Sequence, residues 1–276
     1  MSDPGDLIGL PDGRQLQAWT GGAPDGSPVV FFHGCPDTRH AAMSGDADAR
    51  SAGVRLVAFN RPGYGGSDPA PSTQTTVADD VAAAADSLGI GAFSVLGMSI
   101  GGPYALATAA RHPDRVRSAA VVSSIANLPE RWLDGSVEEV MERSRPEFEA
   151  YVAELAPDDS DDRALVDRFL DGMPAADAAL LSATPVAETA ASVREALAQT
   201  HGFLRDAALS FRPWDFRVED VRCPTTVFQG RLDTNHPPVN GEALARQLPD
   251  GRLVVRPTTH LATLLTAWPQ ILASLG

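Results

Sequence analysis

The run Phe93-Ser94-Val95-Leu96-Gly97-Met98-Ser99-Ile100-Gly101-Gly102 passes from an apolar strand through a Gly-x-Ser-x-Gly turn into an alanine-rich helix. A serine on so sharp a turn stands in a strained conformation with its hydroxyl projecting from the end of a sheet. Glycine on both sides leaves room for the neighbouring backbone. The arrangement is a nucleophile elbow. It commits the chain to a sheet with a helix packed behind this strand, and it directs the search for groups that could act on the hydroxyl.

Other short apolar runs without helical period read as strands buried on both faces: Pro28–Phe32, Val54–Phe59, Ala119–Val122, Thr225–Gly230 and Arg252–Val255. Leu7-Ile8-Gly9 and Gln15–Trp19 flank Pro11-Asp12-Gly13, which predicts a hairpin at the sheet edge. Helical spacing is clearest over Thr76–Leu88, where Val77, Val81, Ala84, Ala85 and Leu88 recur; Gly241–Leu248 and Leu261–Leu275, broken near Pro269, complete the set. Strand and helix in alternation imply right-handed crossovers and a mostly parallel α/β sheet flanked by helices.

From Asn127 to about Ser210 the pattern becomes helix-like and acidic, with helical stretches at 137–142, 148–155, 163–170 and 190–209. The expected organisation is one α/β core in two parts, 1–126 and 213–276, with an inserted helical cap at 127–212. The acidic run Asp158-Asp159-Ser160-Asp161-Asp162 reads as a solvated loop and helix start rather than a metal site, because nothing holds its carboxylates convergent.

A formal charge of −14 over 276 residues, with no basic stripe, argues against nucleic acid or an anionic membrane surface as partner. Every cationic side chain is arginine, so a Schiff-base lysine is excluded. Two cysteines, Cys35 and Cys223, make neither a disulfide scaffold nor a metal site. Met1–Asp6 has neither a basic start nor an apolar run of signal-peptide length, and no segment approaches the roughly 20 apolar residues of a membrane span. The expectation is a cytoplasmic protein acting on a small-molecule substrate without cofactor or metal.

An attacking serine needs a base within hydrogen-bond reach, and the base needs an acceptor that fixes its tautomer and stabilises its cation. Behind an elbow these partners come later in the chain, acid first and histidine last. Asp233 follows the strand ending at Gly230, and His260 follows the strand ending near Arg256, so both fall at the carboxyl edge where Ser99 also stands. After the strand at Val122 the chain offers Ser123, Ser124 and Asn127 but no carboxylate. Of the other histidines, His33, His40, His112 and His201 lie away from the expected position. His236 is the rival base, set aside because Pro237 and Pro238 read as the opening of the next helix. The backbone N–H groups of Ile100 and of Cys35, in the loop His33-Gly34-Cys35-Pro36-Asp37, are the expected oxyanion donors. Cys35 itself as nucleophile lacks a base.

Together His33-Gly34-x-Pro36, Asn60-Arg61-Pro62-Gly63-Tyr64-Gly65-Gly66-Ser67, the elbow, Gly230-x-x-Asp233 and His260 resemble the α/β-hydrolase superfamily over nearly the whole chain. With Pro213-Trp214-Asp215-Phe216 after the insertion, the chain looks like the capped esterase and proline-iminopeptidase-like branch. Asp37-Thr38 stand where relatives commonly have Gly-Ser, and His260 follows threonine rather than glycine. Serine at the elbow separates the chain from epoxide hydrolases and haloalkane dehalogenases, which need aspartate there. The resemblance implies a serine hydrolase cleaving carboxylic esters of small to medium apolar substrates. An aminopeptidase of the iminopeptidase type is the alternative, with Glu130, Glu138, Glu142, Glu147 and Glu149 as candidates for binding an amine. A non-hydrolytic ligand-binding or cyclase-type member of the fold is a further one. Trp132, Met141, Phe148, Tyr151, Phe169, Met173, Phe203 and Phe211 are expected to serve helix packing more than an acyl pocket. Asn60–Ser67 is expected to brace the site.

Overall fold

In the computed structural model, which describes residues 5–157 and 161–276, the expected hairpin forms β1 (Asp6–Gly9) and β2 (Gln15–Gly22). The apolar runs become β3 (Ser27–Phe32), β4 (Val54–Phe59), β5 (Phe93–Met98), β6 (Val116–Val122), β7 (Thr225–Gly230) and β8 (Gly251–Arg256). They join one sheet in the order β1-β2-β4-β3-β5-β6-β7-β8, parallel from β4 to β8 and antiparallel at the β1–β2 and β2–β4 pairs. The hairpin occupies the edge because its two-way path needs only a tight turn, whereas each parallel step needs a crossover.

Alternation along the strands divides the core in two. Val30, Phe32, Val57, Val95 and Val121 face α2 (Gln74–Ser87), α3 (Gly101–Arg111) and α9 (Val239–Gln247). Val29, Phe31, Leu56, Leu96 and Val122 face α1 (Asp46–Ser51), α10 (His260–Leu265) and α11 (Trp268–Ala273). Helix α2 starts two residues before the expected Thr76, because Thr73 and Thr76 form a reciprocal capping box. The expected break near Pro269 falls between α10 and α11, with Pro269 in the first turn of α11, where its missing N–H costs nothing.

Between β6 and β7 run α4 (Val137–Leu155), α5 (Asp162–Asp171), α6 (Ala175–Leu181), α7 (Val186–Leu197) and α8 (Thr200–Ser210). The sequence pattern errs here in three places. The stretches at 137–142 and 148–155 are one helix that carries Pro146 on its exposed side. Helix α6 was not expected. The stretch at 190–209 divides at Gln199, which is extended and donates from Nε2 to Gly65 O at 2.9 Å. The division brings α8 onto the turn after β4, so closely that a Cβ at Gly202 would lie 2.5 Å from Gly63 O. These helices share a core of their own, in which Met141 and Phe148 are buried with Phe169 and Phe203 against them, and Phe148 stacks on Phe203 with centroids 3.8 Å apart. Residues 1–4 and 158–160 lie outside the described residues. Of the acidic run, Asp161 caps α5, accepting from Ala164 N at 2.7 Å.

Candidate active site

Ser99 follows the last residue of β5 and precedes α3, and it has φ +57°, a left-handed conformation that a side chain tolerates only when the surroundings impose it. Packing imposes it here. A Cβ at Gly97 would lie 2.6 Å from Gly101 O, and one at Gly101 would lie 2.2 Å from Phe32 O, so only glycine admits the turn. The loop after β3 lies against the serine: a Cβ on Gly34 would stand 3.3 Å from Ser99 Cβ. Among the described residues, the backbone N–H groups of Cys35 and Ile100 have no acceptor in the chain; Ile100 follows the serine, and Cys35 follows Gly34, the residue that lies against it.

Asp233 and His260 come together as expected. Asp233, three residues past β7, takes the His260 Nδ1 proton on Oδ2 at 2.8 Å. Burial alone would raise the Asp233 pKa, yet the hydrogen bond and charge of His260, with the His236 backbone N–H, hold it below the usual carboxylate range. An ionised carboxylate only accepts, so His260 donates from Nδ1 and its Nε2 is the ring nitrogen left for other partners.

The histidine on the serine hydroxyl is a different one. His236 Nε2 lies 3.0 Å from Ser99 Oγ, and among the described residues no hydrogen bond joins Ser99 to His260. The two imidazoles meet edge to face with centroids 5.1 Å apart. The expected direct Ser99–His260 bond is thus replaced by a Ser99–His236 bond, because of how the loop after β7 folds. Asp233 Oδ1 accepts the N–H groups of Asn235 and His236, both at 2.9 Å, and Gln229 Nε2 holds the His236 carbonyl at 2.9 Å. That turn swings His236 back over the serine before Pro237 and Pro238 lead into α9. Burial, aided by neighbouring His260, pushes the His236 pKa down to about 4, so its ring is neutral at physiological pH. An aspartate two residues before Asn-His, in Asp233-Thr234-Asn235-His236, was the available signal, since Asp side chains commonly bond their own backbone two residues on.

The site is closed. Ser99 is 7% exposed and His236 8%. Loops around it are fastened to the inserted helices through buried charge. Arg61, in the turn after β4, donates from Nη1 to His33 O and from Nη2 to Gly34 O, and its Nε donates to Asp206 of α8 at 2.7 Å. Asp206 also takes Tyr104 Oη at 2.7 Å and Arg205 Nη2 at 2.8 Å. These partners outweigh its burial and hold its carboxyl well below the usual range. His33 is buried and neutral, its pKa driven down by burial and by Arg61. The turn Asn60–Ser67 therefore braces the loop after β3. The Cys35 thiol and Tyr64 Oη share a hydrogen bond at 3.1 Å, and burial lifts the thiol pKa well above the usual range, which removes its thiolate. Asp37, two residues on, is pushed up to about 7 by burial.

Glu130, Glu138, Glu142, Glu147 and Glu149 are all exposed, so none is gathered at the serine. The inserted helices bring their buried carboxylates, Asp177 and Asp206, to partners within the protein. Trp132 and Tyr151 are exposed, and Phe211 packs against the sheet core. Trp214 stacks on Phe216, while Asp215 between them accepts Thr75 N–H at the start of α2. Among the described residues, no three His, Cys, Asp or Glu side chains converge as metal ligands, and no helix is long and apolar enough to cross a membrane.

A family model described as alpha/beta hydrolase fold matches residues 27–265. A non-heme chloroperoxidase of Streptomyces lividans is 36% identical over 118 residues, 41% of this chain and 42% of that protein. A proline iminopeptidase of Neisseria gonorrhoeae is 30% identical over 141 residues, covering 48% and 45%. The matches span less than half the length of each of these relatives. An alpha/beta hydrolase fold protein from Nakamurella multipartita superposes with a TM-score of 0.70 at 26% identity, over 98% of both chains.

Proposed function

The chain belongs to the alpha/beta hydrolase fold family, and on that premise we propose that it is a serine hydrolase of carboxylic esters, working through an acyl-enzyme. Ser99 attacks the acyl carbonyl. His260 takes the hydroxyl proton and returns it to the leaving alcohol, and Asp233 holds the imidazole and its cation. The N–H groups of Cys35 and Ile100 receive the oxyanion. Water then releases the acid. The observation that carries the reading is the carboxylate-backed imidazole of His260 beside a serine held at positive φ on a strand-to-helix turn.

His260 is preferred to His236 as base on physical grounds. A base must bear the proton it removes, and Asp233 gives His260 an acceptor for Nδ1–H and a countercharge. The His236 ring has no such carboxylate, and its cation is disfavoured by burial. We assign His236 the resting serine hydroxyl, which it yields when substrate enters. Residues 127–212 serve as a cap over the site, since α6, α7 and α8 bond to loops after β8, β3 and β4. Ester cleavage is favoured over aminopeptidase action by the exposure of all five candidate glutamates.

The test is Ser99→Ala, assayed on aryl acetates and butyrates beside prolyl and alanyl anilides, with fluorophosphonate labelling. Loss of ester turnover and of labelling, with the fold intact, is the expected result. Undiminished hydrolysis by the variant refutes the assignment, and a preference for the anilides reverses the substrate class.

A further inference from the structure

Helix α10 opens with His260, and its N-cap residue is Thr259. A threonine there ordinarily accepts the backbone N–H of the third helical residue on its own hydroxyl. Thr259 does not. Its Oγ1 instead donates to Asp177 Oδ1 at 2.6 Å, and that same oxygen accepts Ala262 N–H, the third residue of the helix, at 2.7 Å. The capping duty has passed to a carboxylate on α6, some eighty residues earlier in the chain and within the inserted helices. Asp177 is 2% exposed, unlike the outward-facing acids of α4. Its two bonds bracket His260, one on the preceding residue and one two residues on. The sheet side adds Ser123 Oγ, which donates to His260 O at 3.1 Å, beside the bond of Asp233 to the ring.

We propose that Asp177 is a positioning residue for His260. From α6 it pins the first turn of α10, so that seating of the inserted helices and alignment of the imidazole on Asp233 are one event. The physical reason is that His260 stands at a helix end, where three or four backbone donors lack intrahelical partners and the turn frays unless capped. A base on a frayed turn loses its angle to Asp233 and to the serine together. The inference rests on His260 being the base, and it adds that the insertion carries part of the base's alignment.

The experiment uses the full chain with Asp177→Ala, Asp177→Asn and Thr259→Val. Ring nitrogen shifts in protein labelled with 15N-histidine are assigned to His260 with His260→Gln. Turnover of an aryl butyrate and the rate of Ser99 phosphonylation by a fluorophosphonate are measured beside them. Asparagine keeps an acceptor oxygen for both bonds, whereas alanine keeps none. Asp177→Ala is expected to lower kcat and the phosphonylation rate about tenfold to a hundredfold, the scale of a misplaced catalytic group, with KM within about twofold. Its two His260 ring shifts should converge as the Nδ1–H tautomer is lost. Asp177→Asn should restore both to within about threefold of the parent, and Thr259→Val should fall between. If Asp177→Ala does not fold, near-parental Asp177→Asn together with impaired Thr259→Val supports the proposal, and a Thr259→Val indistinguishable from the parent overturns it. Unchanged ring shifts in a folded Asp177→Ala overturn it as well, as does an Asp177→Asn no better than alanine. A parent protein in which Ser99 takes no label defeats the hydrolase reading instead, while the ring shifts still decide the role of Asp177.

Discussion

His236 Nε2 holds Ser99 Oγ at 3.0 Å while the neighbouring His260 holds Asp233 at 2.8 Å, so the serine and the aspartate are each bound to a different imidazole. The two rings meet edge to face, with centroids 5.1 Å apart. What separates them is charge stability: one ring has a carboxylate to share its proton with, and the other is buried beside a second histidine.

That difference predicts opposite outcomes for the two variants. His260→Gln should lower kcat by about a thousandfold or more, as loss of a triad base does, whereas His236→Gln should cost no more than about tenfold. Steady-state kinetics on one aryl ester, with active-site titration to count competent serines, measures both. The reverse ranking transfers the base to His236.

The buried His236 also leaves a mark on stability. Its folded pKa is about 4 and its unfolded value is near about 6.5, so the unfolded chain takes up the proton first as pH falls. Its contribution is present in full above pH ~6.5 and is lost down to pH ~4, at up to about 1.4 kcal/mol per pH unit. Urea midpoints of His236→Gln should therefore decline less than those of the parent between pH 7.5 and 4.5. Parallel curves for the two proteins contradict this.

The strands, the elbow and the positions of Asp233 and His260 at strand ends were legible because each is a local pattern: apolar runs, a glycine-flanked serine, polar residues just beyond a run. The bond between Ser99 and His236 was not. It depends on Asp233 folding the loop onto itself, a contact between side chain and backbone that periodicity does not report. Asp177 was invisible for a second reason. Its helix is seven residues of mostly alanine and leucine, too short for a helical period to emerge, and its partners lie at the other end of the chain. Gln199 broke an apparently continuous helix without glycine or proline, because tertiary contact with Gly65 outweighs helix propensity. The bracing role of Asn60–Ser67 could be read from its glycines, but the particular agent, Arg61, could not.

Asp37 is expected to act on stability with the opposite sign. Burial lifts its carboxyl to about 7, well above the unfolded value, so the folded protein keeps the proton longer. The protonated carboxyl contributes its full share below pH ~4, and that share is lost as pH rises through about 7. Asp37→Asn, which cannot ionise, should match the parent in urea midpoint at pH 4 and exceed it at pH 8.5. Equal midpoints at the higher pH place the ionised carboxylate in a comfortable setting and defeat the prediction.

Arg61 and Asp206 form one buried ion pair, yet their removal should have unequal effects. Asp206→Ala strands two guanidiniums, Arg61 and Arg205, and loses the acceptor of Tyr104, so it is expected to cost about 3–5 kcal/mol, as uncompensated buried charges do. Arg61→Met leaves Asp206 with two donors still in place and should destabilise less. Activity should rank the other way. Arg61 bonds the carbonyls of both His33 and Gly34, the second of which also meets His33 Nδ1 at 2.9 Å, so its loss loosens the loop whose next N–H, on Cys35, faces the oxyanion in the proposed mechanism. Misdirecting one such donor costs about 2.7–4 kcal/mol of barrier at most, a drop of about a hundredfold to a thousandfold in kcat. Urea unfolding and phosphonylation rates corrected for folded fraction measure the two rankings. If Asp206→Ala is the worse variant on both scales, the loop is held by the insertion as a whole rather than by the Arg61 guanidinium.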